Sequence, residues 1–426
     1  MGKKRTLAVF GAGLSGLAAA KLAKQEGFKV DLFDENIEAY RSDFYASTVR
    51  HYDQFVFSPG FSHTHPWRRL LENHGSVYGE LGFAAQRWKG KIIGVTGTNG
   101  KTTLTRFLEF TLRKNNLPAH AVGNIGQAFS DLIGTVHNHE QAIAICEISS
   151  FQAELLKGLN LEALLWTNFS EDHLDRYEAI EAYFEVKLGL LKTLSTEGAF
   201  FVGEQNLLYK SKHFWTQYGG LVVEPKELPS EVLASDSVFA TYPQRWNFNL
   251  AYTFLKCLGV EDSLVYSASK DFKLDAHRLH LLCEHKGSCI WEDSKSTNLH
   301  SVLGALERFD RPVIWIGGGA SKNESLSRYA EAIAKDPNVT HCFLYGEVGS
   351  ELATELLKAN HNQKAFYFER LGAAIQAAVE SLQANAGVEL LFSPGFASFD
   401  QFSSYGERGK YFSETVFSLL KQNPSL

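Results

Sequence analysis

At 426 residues the chain is long enough for two or three domains, and its 44% hydrophobic and 21% charged content is that of an ordinary water-soluble globular protein with several cores. A net charge of −6 argues against general nucleic-acid affinity, and no apolar run reaches the roughly 18 residues needed to cross a bilayer. The five cysteines, Cys146, Cys257, Cys283, Cys289 and Cys342, form an odd set without a C-x-x-C pair, which reads as reduced thiols in a cytoplasmic protein.

The chain falls into three blocks in which a short apolar strand enters a glycine-bearing turn and then a helical pattern, the signature of parallel α/β structure. The first block opens with Lys3, Lys4 and Arg5 before an apolar stretch ending in Ala18-Ala19-Ala20, which imitates a secretory leader. Gly11, Gly13 and Gly16 interrupt that stretch, so a strand at Thr6–Phe10, a turn and a helix are predicted instead. A second strand, Lys29–Phe33, ends at Asp34, and a third at 55–57 meets Ser58-Pro59-Gly60. Gly11-x-Gly13-x-x-Gly16 with Asp34 is the dinucleotide fingerprint, in which a pyrophosphate sits on the helix N-terminus. It fits NAD or FAD, and equally any other nucleotide diphosphate.

The second block starts with a strand at Lys91–Thr96 and the run Gly97-Thr98-Asn99-Gly100-Lys101-Thr102-Thr103. Small residues let the backbone bend around phosphate while N–H groups and the helix N-terminus point at the anion. Lys101 would neutralise β/γ oxygens and the Thr102 hydroxyl would hold Mg²⁺; Val95 stands where the usual spacing has its first glycine. Leu104, Phe107, Leu108, Thr111 and Leu112 mark one face of the following helix. Glu147 closes a strand at 142–148, where a carboxylate could complete a Mg²⁺ shell or simply cap the next helix at the surface. After a strand at 163–167, the run Asn168-Phe169-Ser170-Glu171-Asp172-His173-Leu174-Asp175 gathers an imidazole and three carboxylates. His173 could ligate a metal or touch a phosphoryl group; the alternative is an acidic helix cap. Lys187 lies on a helix whose Tyr183, Phe184, Leu188, Leu190 and Leu191 look partly buried; a semi-buried lysine can be neutral enough to react, while taken alone it reads as a lysine snorkelling to solvent.

The third block has strands near 288–291, 312–316 and 388–392, the last two ending in Gly317-Gly318-Gly319 and Ser393-Pro394-Gly395. Phe57-Ser58-Pro59-Gly60-Phe61 is echoed by Phe392-Ser393-Pro394-Gly395-Phe396, which fits two separate sheets each turning a strand end toward a ligand crevice.

In order along the chain, Gly97 to Thr103, Glu147-Ile148-Ser149-Ser150-Phe151-Gln152, Asn168 to Tyr177, His277-Arg278 and Asp293-Ser294-Lys295-Ser296-Thr297-Asn298 resemble the motifs of the Mur ligase family, over nearly the whole length. Ser393 to Phe402 and Gly123-Asn124-Ile125-Gly126 are similar to the branch of that family that adds D-glutamate. The resemblance implies an α/β fold of three domains. A Rossmann-like UDP-sugar domain at 1–89 and a Rossmann-like amino-acid domain at 274–426 would flank a central P-loop ATPase at 90–273.

The same resemblance implies a cytoplasmic, monomeric enzyme of peptidoglycan precursor synthesis with UDP-N-acetylmuramoyl-L-alanine and D-glutamate as substrates. Its UDP-substrate contacts would be Leu14, Ser15, Asp34, Gly60, Asn124 and Ser149. ATP would be held by Gly97, Thr98, Asn99, Gly100, Lys101, Thr102 and Thr103 with Asn249, Arg278, Asp293 and Lys295. One Mg²⁺ would sit on Thr102 and Glu147 and a second on His173 and a carbamylated Lys187, with Lys101, Glu147, His173 and Lys187 carrying the catalysis. D-Glutamate would meet Thr297, Lys322, Ser398, Phe399 and Tyr405.

The chain departs from the family pattern in places: Arg245-Trp246 replace a usual His-Asn, and Tyr405 stands where phenylalanine is common. The chemistry implied is phosphorylation of the alanyl carboxylate by ATP, then attack by the D-glutamate amine. A ligase for another amino acid, or a nicotinamide or flavin oxidoreductase built on Gly11 to Gly16, are the rival readings.

Overall fold

The computed structural model describes residues 4–224, 228, 237–240, 242–274, 276–322, 324–359, 364–384 and 387–422. These form two compact units: one holds the described residues up to Phe169 with Ala179–Ala240 and Gln244–Phe272, the other holds Ser170–Glu178, Tyr242, Pro243 and the described residues from Lys273 on.

The first unit contains two parallel sheets. Strands β1 (Thr6–Phe10), β2 (Lys29–Phe33), β3 (Gln54–Phe57) and β4 (Val77–Gly79) make a sheet in the order β2-β1-β3-β4. Leu7, Ala8, Val9 and Phe10 are wholly buried, as expected of a strand covered on both faces. The stretch that imitates a leader is therefore a central strand, a turn at Gly11 (φ 94°) and the helix Leu14–Gln25. Gly16 lies so close to the Gly11 carbonyl that any side chain there would collide with it.

Strands β5 (Lys91–Thr96), β6 (Ala119–Gly123), β7 (Ile143–Glu147), β8 (Leu161–Trp166), β9 (Leu194–Gly203) and β10 (Gly220–Val223) form the second sheet, ordered β10-β9-β8-β5-β7-β6 and parallel throughout. The predicted apolar face of the helix Lys101–Lys114 is its buried face: Leu104, Phe107, Leu108, Thr111 and Leu112 have no exposed surface. Phe107 packs with Phe239, Phe248 and Phe272 at centroid distances of 4.5, 5.8 and 5.3 Å. The two sheets of this unit are tied by the buried ion pair Arg68–Glu154 (2.8 Å) and by Glu80, whose Oε1 accepts the Ser130 N–H at 2.6 Å.

The second unit is built on β11 (His280–His285), β12 (Ser288–Glu292), β13 (Val313–Gly318), β14 (Val339–Tyr345), β15 (Lys364–Phe368) and β16 (Glu389–Gly395). Their order is β11-β12-β16-β13-β14-β15, parallel except for β11. Strand alternation divides the core: Val313 and Trp315 pack on one face with Leu391, Ile314 and Ile316 on the other with Phe392. Strands β13 and β16 run further than predicted, because Gly318 and Gly395 pair across the sheet. No described helix is long and apolar enough to cross a membrane.

Candidate active site

The phosphate loop follows β5. Gly97 (φ 136°) and Gly100 (φ 81°) take conformations that disfavour side chains, so Gly97 supplies the flexibility that Val95, inside the strand, does not. A side chain on Gly97 would strike the Thr167 hydroxyl, and one on Gly100 would lie 2.5 Å from Asn247 Oδ1. Asn168 fixes the loop from outside. Its carbonyl accepts the Thr98 N–H at 3.0 Å, its Oδ1 accepts the Asn99 N–H at 2.9 Å, and its Nδ2 donates to Asn99 O at 3.1 Å. The Thr167 hydroxyl donates to the same Asn99 carbonyl at 2.6 Å.

Two lysines meet at this loop. Lys101 Nζ donates to Thr98 O at 2.6 Å and Gly97 O at 3.0 Å. Lys187, on the helix Ile180–Leu188, donates to the same Gly97 carbonyl at 2.8 Å and lies 5.0 Å from the centre of the Tyr183 ring. Lys187 is 1% exposed, so it does not reach out to solvent. Both ammonium groups lie within hydrogen-bond distance of one oxygen, a place where an anion is strongly favoured.

Glu147, 2% exposed, is not a surface cap. Its Oε1 accepts from Asn124 Nδ2 at 3.0 Å, while Oε2 is buried with no hydrogen-bond partner. Asn249, on the helix Gln244–Cys257, is 5% exposed and neither atom of its amide is partnered. Buried polar groups are rarely left unmade, so these atoms fit residues that complete their bonds with Mg²⁺ and nucleotide. Among the described residues no group of three or more His, Cys, Asp or Glu side chains forms a self-contained metal site.

In the first sheet, the Gly11 turn meets Ser58, whose hydroxyl donates to Gly11 O at 3.3 Å, and Gly60, predicted for the UDP-substrate, follows two residues later. Leu14 is 79% exposed beside it. Asp34 holds the turn itself, accepting the Ala12 N–H at 2.8 Å and the Asn36 N–H at 2.9 Å. Phe57, Ser58 and Arg68 share a small cavity with Phe151 and Gln152. Ser149 caps its short helix, accepting the Gln152 N–H at 3.2 Å.

In the second unit, His173 sits at a left-handed φ of 56°. It does not lie in a helix cap, since the next helix begins at Ile180. Its neighbour Asp172 accepts from Lys322 Nζ at 3.0 Å and from Asn298 Nδ2 at 3.2 Å. Burial raises the Asp172 pKa, but the charges of Lys322 and His173 outweigh burial and hold the carboxyl well below the usual carboxylate range. Lys322 also donates to Thr297 O at 3.2 Å, which joins two of the residues predicted for the amino acid.

Asp293 accepts the Ser393 hydroxyl at 2.8 Å and the Leu279 N–H at 3.0 Å; burial pushes its pKa up to about 7 against those bonds. Arg278 Nε is buried without a partner. Lys295 Nζ lies 5.1 Å from the centre of the Tyr405 ring. Ser398 is 3% exposed and Phe399 is 76% exposed.

Three positioning residues had no role assigned from sequence: Asn168 and Asp172, already described, and Arg408. Arg408 is wholly buried on the helix Tyr405–Gln422 and donates to Ser294 O (2.7 Å), Ser294 Oγ (3.0 Å), Phe396 O (3.0 Å) and Ala397 O (3.1 Å). It pins together the loops after β12 and β16. The only trace of it in the sequence is its place four residues before buried Phe412.

Comparison with known proteins places this architecture. The family described as Mur ligase middle domain matches residues 95–217, and the family described as NAD(P)-binding Rossmann-like domain matches residues 9–75. A protein of Caldicellulosiruptor bescii named UDP-N-acetylmuramoylalanine–D-glutamate ligase is 30% identical, with 98% of each chain covered. One of the same name from Gloeobacter violaceus is 31% identical, over 97% of this chain and 99% of its own.

Among solved structures, MurF from Acinetobacter baumannii superposes with a TM-score of 0.62 at 15% identity, over 88% of this chain and 87% of its own. The UDP-N-acetylmuramate–alanine ligase MurC of Thermotoga maritima gives 0.58 at 15% identity, over 98% of this chain and all of its own. The chain belongs to the Mur ligase family, a class of ATP-dependent, ADP-forming ligases.

Proposed function

We propose that this protein joins D-glutamate to UDP-N-acetylmuramoyl-L-alanine, forming ADP and phosphate, in the cytoplasmic assembly of peptidoglycan precursors. The observation that carries the substrate assignment is the full-length likeness to ligases of that name. The three sheets are read as three domains at 1–89, 90–273 and 274–426, for UDP-sugar, ATP and amino acid.

A carboxylate resists attack by an amine until one oxygen becomes a leaving group. Gly97–Thr103 would seat the ATP phosphates on the loop N–H groups, with Lys101 swinging from the loop carbonyls onto the transferring phosphoryl group. Mg²⁺, held by Thr102 and Glu147, would supply charge neutralisation at the phosphates. The alanyl carboxylate takes the γ-phosphoryl group, the D-glutamate amine attacks the acyl phosphate, and phosphate leaves. Lys322, with Thr297 and Ser398, would bind a D-glutamate carboxylate, moving part of its charge from Asp172 to the substrate.

A carbamate on Lys187 would replace two like charges at Gly97 O with an ion pair and add oxygen ligands for a second Mg²⁺. Lys187→Ala should lose most turnover and regain part of it with added short carboxylic acids; normal turnover without them would remove the carbamate from the scheme.

The test of the whole reading is ADP release measured with UDP-muramoyl-alanine and a panel of amino acids. D-Glutamate should lead the panel, with no release when the UDP-sugar is omitted. Faster release with L-lysine or diaminopimelate would reassign the substrate, and nicotinamide turnover would reassign the class.

A further inference from the structure

One wholly buried carboxylate of the second unit has no part in the scheme above. Glu292 closes strand β12 with no exposed surface. A carboxylate inside a sheet is costly unless its oxygens are hydrogen-bonded, and a well-packed apolar residue often serves stability as well. Glu292 divides its oxygens between two loops. Oε1 accepts the Ser294 N–H at 2.7 Å, in the loop after β12. Oε2 takes the Nδ1–H of His277 at 2.8 Å, in the turn before β11. His280 Nδ1 lies 3.4 Å from Oε2 without the geometry of a hydrogen bond.

The turn at 277–279 needs such a hold. His277 and Leu279 have φ of 65° and 38°, a left-handed region that residues with side chains seldom enter without outside support. Two further bonds tie the turn to the end of β12: the Lys295 N–H donates to His277 O at 3.0 Å, and the Leu279 N–H donates to Asp293 Oδ1 at 3.0 Å. The helix Tyr405–Gln422 packs here through Gly409, where any side chain would collide with His277 and Glu292. Between the two left-handed residues stands Arg278, whose Nε is buried without a hydrogen-bond partner. A backbone held on both sides of a donor that lacks an acceptor fits a guanidinium kept in place for a ligand oxygen.

We propose that Glu292, acting through His277, is a positioning residue for the nucleotide: it sets the turn that aims Arg278 at an oxygen of ATP or ADP. The proposal rests on Arg278 being a nucleotide contact, and adds that its aim depends on a carboxylate too deeply buried to meet the nucleotide itself. Through Ser294 the same carboxylate holds the loop that carries Asp293 and Lys295, so the three nucleotide residues predicted in this unit share one anchor.

The test is a double-mutant cycle on the full-length protein, with ADP titrated calorimetrically in the presence of Mg²⁺. Arg278→Ala should weaken ADP binding about tenfold or more. His277→Ala, at a partly exposed side chain, should weaken it about fivefold or more alone, and by less than about twofold in the Arg278→Ala protein. A merely structural loss would be the same in both backgrounds. His277→Asn, which tolerates a left-handed φ and keeps a donor for Glu292, should restore most of the affinity. Glu292→Met, close in length but without acceptors, should weaken ADP binding at least as much as His277→Ala. Unchanged ADP affinity in His277→Ala or in Glu292→Met, or an equal loss from His277→Ala with and without the Arg278 side chain, would overturn the proposal while leaving Arg278 on the nucleotide. Unchanged affinity in Arg278→Ala would remove the nucleotide contact itself, and the proposal with it.

Discussion

The phosphate loop of the first unit and the strand-end loops of the second are both made of glycines and hydroxyl residues, but different things hold them. The phosphate loop is fixed by near neighbours in the sheet, through Thr167 and Asn168 on the adjoining strand end. The loop after β12 is held by an arginine from a helix 114 residues further along the chain, which also bonds the loop after β16. A loop whose shape follows from its own glycines can be read in sequence. A loop whose shape is imposed by a remote side chain cannot.

Changing the residue that holds or uses each loop should therefore have different effects. Lys101→Ala should reduce ADP formation at least about a thousandfold, since charge neutralisation at the transferring phosphoryl group is lost. UDP-substrate affinity, measured by calorimetry, should survive, because the Gly11 turn belongs to another sheet. Equal loss of both would merge the two functions.

Arg408→Ala should act on folding, costing about 3 kcal/mol through acceptors left buried at Ser294, Phe396 and Ala397. Denaturant unfolding measures it, and Arg408→Lys should recover only a part. A change below about 0.5 kcal/mol would mean the loops hold themselves.

Lys322→Ala should raise the apparent Michaelis constant for D-glutamate about tenfold or more, leaving that for ATP nearly unchanged. An unchanged constant for D-glutamate would place the amino-acid pocket elsewhere.

The smallest effect concerns Glu80, where burial pushes the pKa up to about 7 against the hydrogen bond from Ser130. Below about pH 4.5 both folded and unfolded states hold the proton. Between about 4.5 and 7 only the folded state does, so stability falls as pH rises, and the cost is complete above 7. Glu80→Gln keeps an acceptor for the Ser130 N–H and removes that slope, a gain of about 1–3 kcal/mol at pH 8 relative to pH 5. Parallel stability curves for the two proteins would show that Glu80 titrates normally.

Much of the fold was legible because parallel strands are nearly continuous apolar runs closed by glycine. Lys91–Thr96 and Thr6–Phe10 are found where predicted, and the helix after Lys101 buries the predicted face. Strands β13 and β16 continue to Gly318 and Gly395, past their predicted ends, because the sheet uses these glycines for close pairing. Within the site, the Gly97 to Thr103 turn announced itself by spacing. Lys187 did not: a lysine on an apolar helix looks the same whether its amine reaches solvent or a buried carbonyl. Asp172 and Arg408 act through partners 150 and 114 residues away, and no local pattern encodes such a pairing.

The buried Arg408 also sets an order of events during synthesis. Ser294 is made 114 residues before the guanidinium that holds it. A chain emerging from the ribosome holds the described partners of its phosphate loop once Asn247 is out, but the loop after β12 must wait for the helix Tyr405–Gln422 to dock. Half-made chains would thus carry a formed phosphate loop and an unset loop at Ser294, so that the two halves of the chemistry mature one after the other.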